Sequence, residues 1–155
     1  MIISFESVKM ETINKDTFTE EDLTTKDAIW AVIYDKDWKI LIQDHVKLNF
    51  YTIPIGKIKS WEDIEAVMRA EVFEENGITV TGCNKLIEQE WTYDYNWLKA
   101  RIRNHIFEIT SWEWELQNKE PQKHRWSRFV SLEELRKMTP ISDATRIYLS
   151  LLKDK

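Results

Sequence analysis

The sequence predicts a mixed α/β fold, and three observations carry that expectation. The run from Ala28 to Tyr34 is continuously apolar and rich in β-branched and aromatic residues, as expected of a strand covered on both faces. An acidic segment that stops at Asn76-Gly77 reads as a helix with a C-terminal glycine. Further strand-like and helix-like patterns interleave to the end of the chain. With 155 residues, 43% of them hydrophobic, residues 1–155 have the size and apolar content of a single domain with a substantial core.

Taken in order, residues 1–26 begin with a weak alternation (Ile3, Phe5, Val8, Met10). They pass into the acidic, turn-like stretch Thr17 to Lys26, which predicts an edge strand and a solvated connection. After the apolar strand, Asp35-Lys36-Asp37 supplies turn residues before Trp38 to Ile42, so this pair reads as a hairpin. A short strand follows from Phe50 to Ile53, limited by Pro54. Ser60 with Asp63 three residues later reads as an N-cap and acidic first turn, framing a helix from Trp61 to about Asn76.

Lys85 to Trp91 and Ala100 to Thr110 are strand-like, with the tyrosine- and tryptophan-rich Thr92 to Leu98 as the hairpin loop between them. Trp126 to Val130 reads as the last strand, and Ser131-Leu132-Glu133-Glu134 as a capping box that opens a short helix to Met138, ended by Pro140. A final amphipathic helix, Asp143 to Lys153, puts Ala144, Ile147, Tyr148 and Leu151 on one face.

Composition narrows the function classes. A formal net charge of −5 supplies no obvious basic face for coating duplex nucleic acid, so phosphates would have to be met by local cations or a metal. No window is apolar enough for a membrane-spanning helix, so neither a membrane nor a duplex is expected as a partner. The first residues lack the pattern of a signal peptide, and Cys83, the only cysteine, has no partner within the chain for a disulfide. A reducing cytoplasm suits both.

The chemistry is concentrated on the acidic helix. Glu71, Glu74 and Glu75 are spaced three and four apart and share a face. At about 100° per residue that face also carries Ile64, Val67 and Met68, whereas Glu62, Glu65 and Arg69 gather on the opposite, solvent side. Carboxylates placed on an apolar arc call for a compensating cation, and oxygen-only ligands favour a hard one such as magnesium. From the spacing alone, an ordinary acidic helix end beside the core explains the pattern at least as well, because Glu-x-x-Glu-Glu is common in helices.

The preceding loop separates the two. Gly56, five residues, Glu62, and then Glu71-Val72-Phe73-Glu74-Glu75-Asn76-Gly77-Ile78 make residues 56–78 resemble the Nudix box. Every defined position of that box matches except one: Ala70 stands where the family has an Arg that helps orient a neighbouring Glu. Arg69 lies about 100° around the helix and is not placed to take over. Around the glycine, Ile55 replaces a usual Gly, Lys59 a frequent Glu and Trp61 a frequent Gly. The resemblance extends from about Asp27 to the C-terminus, with Tyr51-Thr52-Ile53-Pro54 as the lead-in and Arg125 to Leu135 as the closing strand and helix.

The resemblance implies an α/β/α sandwich around a mixed sheet, and a magnesium-dependent hydrolase, with manganese as a substitute metal. It would cleave the diphosphate linkage of a small nucleotide by attack of water on phosphorus. Glu71 and Glu75 would be the principal metal ligands and Glu74 a further one. Ile55 would lend its backbone carbonyl, and Glu62 would be structural. For the additional acid that many family members place before the last strand, Glu120 fits best, ahead of Glu108 and Glu115, although a solvated loop acid explains it equally.

Lys57 is a candidate phosphate contact or a plain surface lysine. Tyr93, Tyr95 and Trp97 are candidates for stacking on a base, or alternatively a loop tip or homodimer surface. His45, His105 and His124 lack zinc-like or triad spacing, and Cys83 lacks a catalytic partner. A nucleoside triphosphate is the substrate favoured by the small size. Dinucleoside polyphosphates, ADP-ribose, nucleotide sugars and capped RNA remain open. So does a catalytically weak nucleotide-binding regulator, suggested by Ala70.

Overall fold

A computed structural model describes residues 25–59, 62–95 and 98–153, with the side chains of 25, 91–100 and 153 excepted. The strands are β1 (Thr25–Ile33), β2 (Ile40–His45), β3 (Phe50–Thr52), β4 (Ile55–Ile58), β5 (Thr79–Tyr95), β6 (Leu98–Glu113) and β7 (His124–Val130). The helices are α1 (Ile64–Asn76), α2 (Leu132–Lys137) and α3 (Asp143–Lys153). They build an α/β/α arrangement around a four-stranded mixed sheet, ordered β4-β1-β6-β5, and a three-stranded sheet, ordered β3-β2-β7. Among the described residues, no helix is long and apolar enough to cross a membrane.

The apolar run of β1 is explained by its place. It pairs antiparallel with β4 on one side and parallel with β6 on the other. Its alternate residues enter two different cores. Trp30 and Val32 join Ile40, Ile42, Ile106, Leu135 and the α3 residues Ile147, Tyr148 and Leu151. Ile29, Ala31 and Ile33 join Leu41, Ile58, Phe107 and the α1 residues Met68 and Val72. Burial of each isoleucine, leucine, valine, phenylalanine or methionine side chain among them stabilises the fold by about 1.5–3 kcal/mol.

Half of the capping box forms: the Ser131 hydroxyl accepts from the Glu134 backbone N–H at 3.0 Å and opens α2, while the Glu134 carboxylate lies 3.5 Å from Arg128 Nη2. α3 has the expected bounds and buries Ala144, Ile147, Tyr148 and Leu151. It is tied to the end of β3 by buried hydroxyls, with the Ile53 N–H donating to Thr145 Oγ1 at 2.9 Å and Thr52 and Ser142 sharing a 2.7 Å hydrogen bond.

Five expectations are corrected or extended. β1 and β2 do not form a paired hairpin, because both edges of β1 are taken by β4 and β6; only the isolated bridge Tyr34↔Ile40 links the two. The intervening turn is closed by Asp35 Oδ1, which accepts from the N–H groups of Asp37 and Lys39 at 2.9 Å, and it leaves Trp38 at φ 60°, exposed and outside β2. α1 begins at Ile64 after Asp63, whose side chain makes no capping hydrogen bond, and not at Trp61. The glycine segment expected as a loop contains β4, because β1 offers it an antiparallel ladder from Asp27↔Ile58 to Trp30↔Ile55. Finally, β5 and β6 extend over most of the expected Thr92 to Leu98 loop, pairing as far as Tyr95↔Leu98. The edge strand expected within residues 1–26 and the Ser60 cap lie outside the described residues.

α1 ends on Gly77 at φ 70°, whose N–H donates to the Phe73 carbonyl at 2.8 Å. A side chain is strained in this left-handed conformation. Gly77→Ala should therefore lower stability by about 1–2 kcal/mol in urea unfolding; an unchanged midpoint would show that the helix end can relax.

Candidate active site

The C-terminal half of α1 presents its acidic residues to three different environments. Its buried face is Met68, Val72, Glu75 and Asn76, while Glu71 is half-buried and Glu74 exposed. The helical arc therefore does not enclose all three glutamates equally. The side expected to face solvent also differs, because Arg69 is only partly exposed and donates from Nη1 to the Val80 carbonyl at 2.6 Å, pinning α1 to β5. Glu65 is exposed and contacts both Arg69 and Cys83, whose thiol is pushed up by burial and by Glu65.

Glu75 is the central group. Its side chain is only 2% exposed, and its two oxygens are met from two other segments. Gln43 of β2, itself buried, donates from Nε2 to Glu75 Oε1 at 3.4 Å and to Asn76 Oδ1 at 3.1 Å. Lys123, from the loop before β7, reaches Glu75 Oε2 at 3.4 Å. These contacts are long, and burial together with neighbouring Glu71 pushes Glu75 up to about 7 despite Lys123. Glu71 is raised as well, by burial first, with Lys123 opposing and Glu74, Glu120 and Glu62 adding to the shift.

The loop is held against the helix end by its backbone. The N–H groups of Gln117 and Lys119 donate to the carbonyls of Asn76 and Glu75 at 2.9 and 3.0 Å, satisfying acceptors that a helix C-terminus leaves open. Beyond them, the N–H groups of Lys123 and His124 both donate to the Glu120 carbonyl, at 2.9 and 3.0 Å, and Glu120 Oε2 lies 3.5 Å from Lys123 Nζ. The Lys123 ammonium thus bridges Glu75 and Glu120. Burial pulls its pKa down, but these two carboxylates and Glu71 outweigh that and hold it above the usual lysine value.

Behind the loop, His45 and His124 pack edge to face with ring centroids 5.5 Å apart. Burial lowers both, His124 to about 4, so neither ring adds charge to the site at neutral pH. His105 lies elsewhere, on β6, 2.9 Å from Asp27 Oδ1.

Gly56 faces the same site across β4: a Cβ added there would stand 3.3 Å from Ile29 Cγ1 and 3.4 Å from Glu71 Cγ. The glycine thus lets the strand pass close beneath Glu71. Alternation along β4 turns exposed Lys57 to the face opposite Gly56, so the structure does not bring it to Glu71. Ile55 is half-buried against the α3 core. Glu62 closes the turn before α1, accepting the Lys59 N–H at 2.9 Å. Of the alternatives to Glu120, Glu108 lies within β6 and Glu115 is exposed; neither forms an ion pair with Lys123 among the described residues. Trp97 and the side chains of Tyr93 and Tyr95 lie outside the described residues.

The donor chemistry fits a hard divalent ion, because a nearly water-excluded carboxylate with only long contacts, beside a second raised carboxylate, is under-compensated by the protein itself. Among the described residues no three His, Cys, Asp or Glu side chains are already gathered as a ligand cluster. The assembled group is the ion-paired Glu75, Glu120 and Lys123, with Glu71 beside them. Sequence reasoning missed Gln43 and Lys123. The only signal for Lys123 is its position three residues after Glu120, and for Gln43 a polar residue following Ile40-Leu41-Ile42.

The folded-state pKa of Glu75 lies above its ordinary value of 4.5, so ionising it opposes folding. With divalent ions removed, the stability that Glu75 contributes should fall as pH rises from about 4.5 through about 7 and level off above, by an amount on the order of 3 kcal/mol, while His124, lowered to about 4, acts the other way between about 4 and 6.5. Glu75→Gln removes the first contribution and leaves the second, so the variant should gain on the wild type as pH rises through that range. Thermal melts of both proteins check this, and parallel curves would assign the wild-type pH dependence to other groups.

The family model of the NUDIX domain matches residues 24–150. No curated protein matches the chain in sequence. Among solved structures, the fold is similar to a MutT NUDIX hydrolase from Burkholderia pseudomallei, at 22% identity and TM-score 0.72, over 82% of this chain and 97% of the other. It is also similar to a MutT protein from Methanosarcina mazei, at 15% identity and TM-score 0.69, over 85% of this chain and 96% of the other. An Ap4A hydrolase from C. elegans superposes with TM-score 0.58 at 14% identity, over 86% of this chain and all (100%) of the other.

Proposed function

The chain belongs to the Nudix hydrolase superfamily, and from that premise we propose that it is a magnesium-dependent pyrophosphohydrolase of small nucleotides, with a nucleoside triphosphate as the favoured substrate. The observation that carries this reading is Glu75, a buried carboxylate with long contacts, placed beside half-buried Glu71 and opposite Glu120.

Glu71 and Glu75 would hold the metal, with Glu74 and the Ile55 carbonyl as further donors. Bound there, a divalent ion supplies charge neutralisation on the phosphates and a more acidic water. The protein's own part is to fix these donors on a helix end that the 117–123 loop locks in place. Glu120 accepts the proton of the attacking water, whose oxygen bonds to phosphorus as the bridging P–O bond breaks and the pyrophosphate or nucleotide on its far side departs with the bridging oxygen. Proton acceptance by a positioned carboxylate contributes about 10²–10⁴-fold to such reactions.

Lys57, exposed on the face of β4 away from Glu71, is kept as the proposed phosphate contact. Tyr93, Tyr95 and Trp97 are the proposed base-stacking residues. Diadenosine tetraphosphate, named for the C. elegans structure, is the second substrate class to assay. The cytoplasm, where nucleotides are abundant, is the proposed compartment.

A panel of nucleoside triphosphates, dinucleoside polyphosphates, ADP-ribose and nucleotide sugars, assayed for phosphate and nucleotide release with magnesium or manganese, tests the assignment. The fastest release is expected from a triphosphate; binding without release at high enzyme concentration would make the chain a regulator. Glu75→Gln should lose most hydrolysis while its circular dichroism stays unchanged, and a fully active variant would remove Glu75 from the ligand set.

A further inference from the structure

Lys123 stands where its charge can serve the acidic site in only one way at a time. Its ammonium lies 3.4 Å from Glu75 Oε2 and 3.5 Å from Glu120 Oε2. Both are acidic oxygens assigned above to the metal or to the proton of water. A divalent ion drawing on Glu75 Oε2 would meet the ammonium on the same oxygen, and like charges at such a distance repel strongly in a partly buried site.

The two partners differ in their freedom to yield. Glu75 is 2% exposed, on a helix face packed into the core, and cannot follow the lysine outward. The Lys123 side chain is 43% exposed. Its backbone is fixed at both ends, with its N–H donating to the Glu120 carbonyl and its carbonyl accepting the Val46 N–H, each at 2.9 Å. Movement is therefore confined to the four-carbon stem, which can rotate toward solvent without disturbing the loop. The neighbouring Lys119 is engaged differently, its ammonium 4.3 Å from the centre of the Phe73 ring.

We propose that Lys123 is a tethered counter-cation that competes with the divalent metal for Glu75 and Glu120, so that metal binding requires its ammonium to swing out to solvent. It stabilises the acidic cluster when metal is scarce and weakens the affinity for metal. Lys123 is in this sense a positioning residue acting through the carboxylates. The proposal rests on the reading of Glu75 as a metal ligand.

The test is Mn²⁺ binding to the full chain, followed by the electron paramagnetic resonance signal of the free ion after stripping with EDTA and dialysis. Lys123→Met should bind Mn²⁺ about tenfold more tightly than the wild type, the scale expected when one unit charge is removed from beside a divalent ion. Lys123→Gln, which keeps a polar stem without the charge, should behave alike. Lys123→Arg should restore wild-type affinity, and Lys119→Met should leave it unchanged.

Before metal is added, Lys123→Met should melt below the wild type, and Mn²⁺ should raise its melting temperature by the larger amount. Equal or weaker Mn²⁺ binding in Lys123→Met and Lys123→Gln, with Glu75→Gln still abolishing it, overturns the competition alone. The same holds if Lys119→Met tightens binding as much. Mn²⁺ binding that survives in Glu75→Gln overturns the ligand assignment and the competition with it.

Discussion

A carboxylate taken out of water must be answered by charge or by hydrogen bonds, and the whole site is organised around one such group. Glu75 sits at the end of α1, where helix geometry also leaves carbonyls unsatisfied, so the helix end presents an acidic side chain and open backbone acceptors together. The 117–123 loop meets both needs. Its backbone N–H groups take the carbonyls of Glu75 and Asn76, and its Lys123 takes the carboxylate. Gln43, from the second sheet, completes the contacts from the other side. A single helix turn is thus bound to a strand and a loop that lie far from it in the chain.

The sandwich makes this convergence reproducible. β1 is covered on both faces, so α1 is fixed through Met68 and Val72 against one face while α3 is fixed against the other. Arg69 adds a hydrogen bond from α1 to the backbone of β5. β4 runs beside β1 with Gly56 under Glu71, where an added Cβ would press on Ile29 Cγ1 and touch the Glu71 Cγ methylene. The acidic face therefore owes its position to apolar packing beneath it and to the absence of one side chain beside it.

The departure at Ala70 acquires a structural context. Position 70 is exposed on α1 and contributes no charge, whereas the positive charge nearest the buried carboxylate comes from Lys123 on a separate loop. Arg69, adjacent in sequence, is committed to Val80, Glu65 and Cys83. The electrostatic balance of the helix end is thus set by tertiary contact and not by the helix's own neighbours.

What the sequence by itself determined is local and periodic. The two-sided strand at 28–34, the acidic helix ending at Gly77, the Ser131 cap and the buried face of α3 follow from spacing and propensity, and the glycine-to-glutamate pattern identified the family. Partnership between distant segments was decided only by the tertiary structure. The choice of β4 and β6 as neighbours of β1, the strand made of the glycine segment and the unequal exposure of Glu71, Glu74 and Glu75 depend on which edges and faces are already occupied. So do the roles of Gln43 and Lys123: side-chain chemistry can be read from one position, but a hydrogen bond or an ion pair exists only once folding has brought its second member within about 3–4 Å.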